Sequence, residues 1–153
     1  MSGVYDTPNF FSFSSYLVCL ISGYVSFNGR CYKDFPEQKT YNEARQTCSA
    51  DGGQLAMPKD SATNTFISNL RNEDGFHWLG LTDVSSEGQW VFEDGQTLEP
   101  SDYSNWRPGE PNNVSPGEDC VKLWDADAMW NDASCSATAG FICQIGMPCS
   151  HPE

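Results

Sequence analysis

The cysteines constrain this chain more than any other feature. There are seven, Cys19, Cys31, Cys48, Cys120, Cys135, Cys143 and Cys149, against two histidines, His77 and His151. No Cys-x-x-Cys pair occurs, so the ligand supply disfavours a Cys/His zinc centre. In a short acidic chain this many thiols point to disulfides and to an oxidising, extracellular compartment. Six cysteines can pair and one is left over, and spacing alone leaves the pairing open. At 153 residues the chain can bury a single ordinary core, which cross-links would reinforce.

Charge narrows the partners. Eight Lys and Arg stand against 21 Asp and Glu, a formal net charge of -13. Phosphate backbones and anionic membrane surfaces repel such a polyanion, so neither nucleic acid nor a lipid surface is expected. The longest apolar run, Leu17 to Ile21, is far too short to insert into a bilayer. Residues 1–18 hold an apolar patch from Phe10 but no basic residue, and Asp6 lies near the start. They lack the basic region and small-residue cleavage site of a secretory signal and are read as an N-terminal extension of the mature protein.

The pattern along the chain is α+β. Tyr24–Phe27 and Cys31–Phe35 flank Asn28-Gly29, a hairpin signal because both turn positions need positive φ. Thr40 with Glu43 three residues on reads as a capping box, opening a helix through Tyr41, Ala44 and Cys48 that Gly52-Gly53 ends. A second helix is expected from Asp60 or Ser61, with Ala62, Phe66 and Leu70 on its apolar face. His77–Thr82, Gln89–Phe92, Cys120–Trp124 and Gly140–Ile145 read as strands. Between them, Glu93 to Asp119 is a long stretch with Pro100, Pro108, Pro111 and Pro116 and no periodicity. Structureless loops of that length are uncommon and usually functional. Tyr103 and Trp106 supply the loop with apolar anchors, and something more should hold its shape.

The loop and its surroundings are rich in hard oxygen donors: Glu110-Pro-Asn112-Asn113, Glu118-Asp119, Asn131-Asp132, and Asp83 with Glu87. Calcium takes oxygen ligands of these kinds, whereas zinc prefers nitrogen and sulfur. Composition alone leaves two readings open, a calcium site and a solvated acidic surface. The spacing is not that of an EF-hand loop.

The order of motifs resembles the C-type lectin domain. Trp78-Leu-Gly-Leu81 is similar to that family's WIGL segment, Glu110-Pro-Asn112 to its EPN motif and Trp130-Asn-Asp132 to its WND motif. Cys48, Cys120, Cys135 and Cys143 occur in the family's order. Cys19 and Cys31 resemble the extra N-terminal bridge of its long form. The match covers about Cys19 to Gln144, dividing the chain into an extension (1–18), a carbohydrate-recognition domain (19–145) and a tail (146–153). The resemblance implies a C-type lectin fold, with two helices packed on small antiparallel sheets beside a long calcium-binding loop. It also implies three disulfides, Cys19–Cys31, Cys48–Cys143 and Cys120–Cys135.

The family's site residues carry over one at a time. Glu110, Asn112, Glu118, Asn131 and Asp132 match the principal calcium site, with Pro111 expected in cis. Asp83, Glu87, Asn113, Glu118 and Asp119 match an auxiliary calcium site. Asp is frequent at the Asn113 position, and an amide there brings no charge. Glu110, Asn112, Glu118 and Asn131 would also hold sugar hydroxyls. Val114 is either a contact for the apolar face of a sugar or an ordinary exposed loop valine. Trp78, Trp90, Trp106 and Trp130 read as core or loop anchors rather than sugar platforms, and His77 as structural. Cys149 suggests an intermolecular disulfide, hence a linked dimer, or a free thiol.

What the resemblance implies is a secreted, calcium-dependent lectin for glycans with equatorial 3- and 4-hydroxyls: mannose, glucose, N-acetylglucosamine or fucose. Binding to microbial surface glycans in innate immunity is the expected setting. The alternative is a lectin-like module that binds protein and no sugar, although such modules commonly lose the calcium ligands kept here. No nucleophile–base pair or other catalytic motif is visible, so an enzyme is not expected.

Overall fold

The computed structural model describes residues 19–72, 75–113, 117–124 and 127–146. Val114 and Cys149, with the extension and residues 147–153 of the tail, lie outside the described residues, whereas Gly146 closes the last strand. The elements run β1 (Val25–Phe27), β2 (Arg30–Lys39), α1 (Tyr41–Ala50), β3 (Gln54–Leu55), α2 (Ser61–Leu70), β4 (His77–Thr82), β5 (Val91–Phe92), β6 (Cys120–Leu123), β7 (Trp130–Ala133) and β8 (Ala139–Gly146).

Local chemistry explains most boundaries. Asn28 and Gly29 hold φ of 49° and 80° and join β1 to β2, as a turn with two left-handed residues must. At α1 the Thr40 hydroxyl accepts the Glu43 N–H at 3.3 Å, and the Glu43 carboxylate accepts the Thr40 N–H at 3.0 Å. Asp60 caps α2 by accepting the Thr63 N–H at 2.8 Å. The buried face of α2 is Thr63, Asn64 and Ile67, with Ala62 exposed and Phe66 and Leu70 half-buried. It is rotated from the expected face because Asn64 turns inward to meet hydrogen-bond partners that no apolar pattern reveals.

The strands join into one mixed network, ordered β1-β2-β8-β4-β6-β7, with β3 on β8 and β5 on β4. Every pairing is antiparallel except β4 with β8, where His77 faces Gly140 and Trp78 faces Phe141. The last strand therefore returns to the middle of the sheet, and its residues from Ala139 to Gln144 are all buried. Short β3 and β7 carry too few residues to announce themselves by alternation. Gln89 and Trp90 lie just outside β5.

Two apolar clusters share the sheet. One packs Tyr41, Ala44 and Cys48 of α1 on Leu55, Trp78 and Phe141. The other gathers Ile67 of α2 with Leu79, Leu81, Phe92, Val121, Leu123 and Trp130. At Gly80 a Cβ would meet the Leu55 carbonyl at 2.8 Å, so only glycine lets β4 pass this close to that chain.

The three disulfides are Cys19–Cys31, Cys48–Cys143 and Cys120–Cys135. Cys48–Cys143 ties α1 to β8 across 95 residues. Loop-closure entropy gives a bridge of that span roughly 4–5 kcal/mol as an upper figure. Buried His77 Nε2 lies 2.9 Å from Asp34 Oδ1, and Asp34 Oδ2 accepts the Asn72 N–H at 3.0 Å, a structural placement. Among the described residues, no helix is long and apolar enough to cross a membrane.

Asn64 is the least replaceable polar residue of this core. Its Oδ1 accepts the Trp130 indole N–H at 2.9 Å and its Nδ2 donates to the Ala128 carbonyl at 2.8 Å. Asn64→Ala strands the buried indole donor and should cost roughly 2–3 kcal/mol, whereas removing the exposed α1 cap by Thr40→Ala should cost about 1 kcal/mol. Denaturant midpoints at constant m-value check both.

Candidate functional site

The residues from Glu93 to Asp119 contain no named strand or helix among those described, and the loop is held from below by Trp130. The Trp130 N–H donates to the Asn105 carbonyl at 2.8 Å, and its own carbonyl accepts the Arg107 N–H at 2.9 Å. Its ring meets Trp106 and Tyr103 edge-on, at centroid distances of 5.6 and 6.0 Å. Trp90 packs on Trp106 at 5.1 Å. The tryptophans expected as anchors are therefore anchors.

Above this base one carboxylate organises the tip. Asp132, 2% exposed, accepts the Asn112 N–H at Oδ1 (3.1 Å) and the Asn113 N–H at Oδ2 (2.8 Å). The Glu110–Pro111 peptide bond is cis. Asn112 Nδ2 donates to Glu110 Oε2 at 2.9 Å, and the Asn113 amide oxygen accepts the Glu118 N–H at 3.2 Å. Asn131 follows Trp130 on β7 and donates from Nδ2 to the Asp132 carbonyl at 3.2 Å. The fold thus brings Glu110, Asn112, Asn113, Glu118, Asn131 and Asp132 into one connected group.

A second group adjoins it in sequence. Carboxylate oxygens of Asp83, Glu87 and Asp119 lie within 4.8 Å of one another. Asp83 is 1% exposed. Its Oδ2 accepts the Gly88 N–H at 2.7 Å and its backbone N–H donates to the Asp119 carbonyl at 3.0 Å. Asn113 spends its amide oxygen on the Glu118 backbone.

These oxygens are poorly supplied with protein donors. Asp83 Oδ1, Asp119 Oδ1, Glu110 Oε1 and Asn131 Oδ1 are buried without a hydrogen-bond partner. Burial first, then a hydrogen bond and repulsion from Asp132, then repulsion from Glu118, push the Glu110 carboxyl up to about 7, with Arg107 opposing. Glu110 and Asp132 can share a hydrogen bond only when one of them is protonated. Asp83 is pushed up to about 6 by burial and by Glu87 and Asp119, against the Gly88 N–H. Hard oxygen donors, orphaned and mutually repelling, fit a calcium ion better than magnesium or zinc.

A groove of about 1000 Å³ is lined instead by residues of α1 and β5 among others and by none of the Glu110 group. Its one acid, Glu93, is already paired within the groove. Glu93 Oε2 accepts the Tyr41 hydroxyl at 2.9 Å and pairs with Arg45 at 3.0 Å. Those unpartnered buried oxygens lie at the loop tip and beside Asp83, not in this groove.

The family model described as the Lectin C-type domain matches residues 37–145. The chain belongs to the C-type lectin family. The lectin domain is 38% identical over 128 residues to Collectin-10 of Gallus gallus, covering 82% of this chain and 45% of that protein. The chain therefore spans less than half the length of this relative. Among solved structures, the cow C-type carbohydrate-recognition domain of CD23, crystallised in the presence of a GlcNAc2Man3 oligosaccharide, superposes with a TM-score of 0.78. It is 31% identical, covering 87% of this chain and 100% of that one. A calcium-independent type II antifreeze protein superposes with a TM-score of 0.75 at 26% identity, covering 86% of this chain and 97% of that one. A C-type lectin is a binding protein rather than an enzyme. The antifreeze neighbour shows that the ligand is set by side chains and not by the fold.

Sequence reasoning passed over Arg107 and Lys122. A lone Arg before a Pro-Gly turn and a lone Lys in a strand carry no motif. Their meaning rests on the rings and carboxylates the fold places around them.

The upward shifts at Glu110 and Asp83 define a pH dependence. An acid whose pKa is raised on folding favours the fold when protonated, so metal-free stability falls as pH rises from the ordinary carboxylate range through about 6–7. In chelator, the thermal midpoint should be higher at pH 5 than at pH 7.5. Differential scanning calorimetry at both values checks the sign.

Proposed function

We propose that this lectin domain binds sugars through calcium held by Glu110, Asn112, Glu118, Asn131 and Asp132. Asp83, Glu87, Asn113 and Asp119 would hold an auxiliary ion, with Glu118 between the two groups. The reading rests on one observation above all: buried carboxylate and amide oxygens crowd at the loop tip without donors to satisfy them. Such a cluster costs free energy unless a cation is bound. A bound calcium ion supplies coordination positions for two neighbouring sugar hydroxyls.

The chain's own residues then set the polarity of recognition. Glu110 and Glu118 accept hydroxyl protons, while the amides of Asn112 and Asn131 donate to hydroxyl oxygens. Asn112 and Glu110 already present a donor and an acceptor joined to one another, 2.9 Å apart. This order of acid and amide suits equatorial 3- and 4-hydroxyls: mannose, glucose, N-acetylglucosamine and fucose. The oligosaccharide present with the cow domain contains residues of that group. Three disulfides agree with a secreted protein, and glycans on microbial surfaces are the setting we propose. A protein-binding module without calcium would leave the crowded acids uncompensated, so the sugar reading is preferred.

A glycan array with and without chelator tests the proposal. Mannose-type binding lost in chelator and restored by calcium is the expected result, and binding indifferent to calcium would refute it. Chelation should also speed proteolysis between Glu93 and Asp119, because the ion would tie the loop to β7.

Exchanging the acid and the amide, Glu110→Gln with Asn112→Asp, reverses donor and acceptor while conserving size and charge. Competition with free mannose and free galactose should show the preference moving toward galactose. An unchanged ranking would place selectivity in other residues.

A further inference from the structure

In a chain of net charge -13 with eight Lys and Arg, most cations would be expected beside acids. Arg45 pairs with Glu93 and Lys59 with Asp94. Arg107 and Lys122, like Arg30, Lys33 and Lys39, make no ion pair with any described residue; what sets these two apart is that both stand next to the candidate sugar site.

Arg107 is fixed on both sides of its backbone. Its N–H donates to the Trp130 carbonyl at 2.9 Å and its carbonyl accepts the Glu110 N–H at 2.8 Å. Its guanidinium carbon lies 3.6 Å from the centroid of the Trp124 ring. Trp124 meets Phe76 edge-on at 4.8 Å, and the Lys122 ammonium lies 4.1 Å from the Phe76 centroid. Lys122 faces Asn131 in the register of β6 with β7. Directly opposed residues on antiparallel strands share a face, so Lys122 leaves the sheet on the side of Asn131. The four side chains, all half-buried, make a continuous ledge from the residue that precedes the Glu110 turn to the one opposite Asn131.

The electrostatics suit a ligand that brings its own negative charge. A guanidinium near a ring face is held by the π-system and keeps its in-plane N–H donors for an oxyanion. The Arg107 charge already acts on Glu110, and the Glu118 charge acts on Lys122. Burial holds the Lys122 ammonium below the usual lysine range. Its charge is costly where it stands, and a counter-charge from outside would relieve it.

We infer that Arg107 and Lys122, mounted on Trp124 and Phe76, form an anionic subsite that selects glycans carrying a sulfate or phosphate ester beside the calcium-held sugar. The inference rests on the calcium-dependent reading of the neighbouring site and adds a substrate class to it.

The test uses immobilised N,N′-diacetylchitobiose, unmodified or 6-O-sulfated on either residue, with a 6-phosphorylated arm to separate the two esters. Binding is measured in calcium at low and high salt, and in chelator. At least one ester should bind about tenfold more tightly than the neutral parent at low salt, an advantage that shrinks as salt rises. The ratio of ester to neutral binding should fall toward one in both Arg107→Gln and Lys122→Gln. Arg107→Lys should keep part of it, which separates lost charge from lost packing. A wild-type ratio near one, or a ratio that survives both substitutions, overturns the subsite and leaves the neutral-sugar reading standing. No binding of any arm, or binding untouched by chelator, overturns that underlying reading and the subsite with it.

Discussion

The structure turns on how Trp130 is buried. Its indole N–H is held by Asn64 of α2, its amide by Asn105, its carbonyl by the Arg107 N–H, and its ring by Trp106 and Tyr103. Two segments distant in sequence, α2 and residues 103–107, therefore converge on one residue that is fully out of water. Two residues further along β7, on the same face of the strand, Asp132 accepts the amides of Asn112 and Asn113. Strand alternation means that seating the tryptophan also seats the carboxylate. The loop needs no regular structure of its own, because its shape is borrowed from a core residue and from the acid that follows.

Placing acids there has a cost that the rest of the domain must carry. Like charges within a few ångströms repel, and buried oxygens without donors lose their hydration uncompensated. The Cys120–Cys135 bridge acts at this point. Cys120 follows directly on Glu118-Asp119 and faces Ala133 in the register of β6 with β7, and Cys135 lies just beyond that strand. Repulsion that would otherwise part the two strands works against a covalent link and two buried clusters. Stability is thus stored in disulfides and tryptophans and spent at the loop tip, as expected where a functional site breaks local rules.

Much of this was legible from residues alone, and what was not has a physical cause. The Asn28-Gly29 turn, the Thr40–Glu43 box and the long strand at Trp78 are local signals, and each appears where its chemistry requires. On α2, Phe66 and Leu70 pack against the core as expected, but Ala62 is exposed and Asn64 is buried to satisfy an indole 66 residues away, which a pattern of apolar residues cannot encode. Strand β3 has two residues and β7 a polar Trp-Asn-Asp-Ala run, so neither shows a strand pattern of its own, and the central placement of β8 depends on pairings between residues far apart in sequence. At the site, the acids and amides stood out as oxygen donors, and the family resemblance named their roles. Their mutual hydrogen bonds through Asp132 became visible only in three dimensions. So did the ledge of Arg107 and Lys122, whose four side chains come from three separate segments.

Fold and ligand are therefore separable in one direction only. None of the hydrogen bonds to Trp130 uses Glu110, Glu118 or Asp83, so those acids could be exchanged without disturbing the base of the loop. Exchange would even relieve the burial of charge and the repulsion that raise Glu110 and Asp83. The reverse does not hold. Losing Asn64 or Trp130 removes the support from which Asp132 and the loop amides are positioned, so binding would fail together with stability. A fold built this way can keep its core while its loop tip is rewritten, and a calcium-independent type II antifreeze protein shares this fold. In this chain the crowded oxygens carry a standing cost in free energy that a bound cation would offset, which is the physical ground of the calcium reading proposed above.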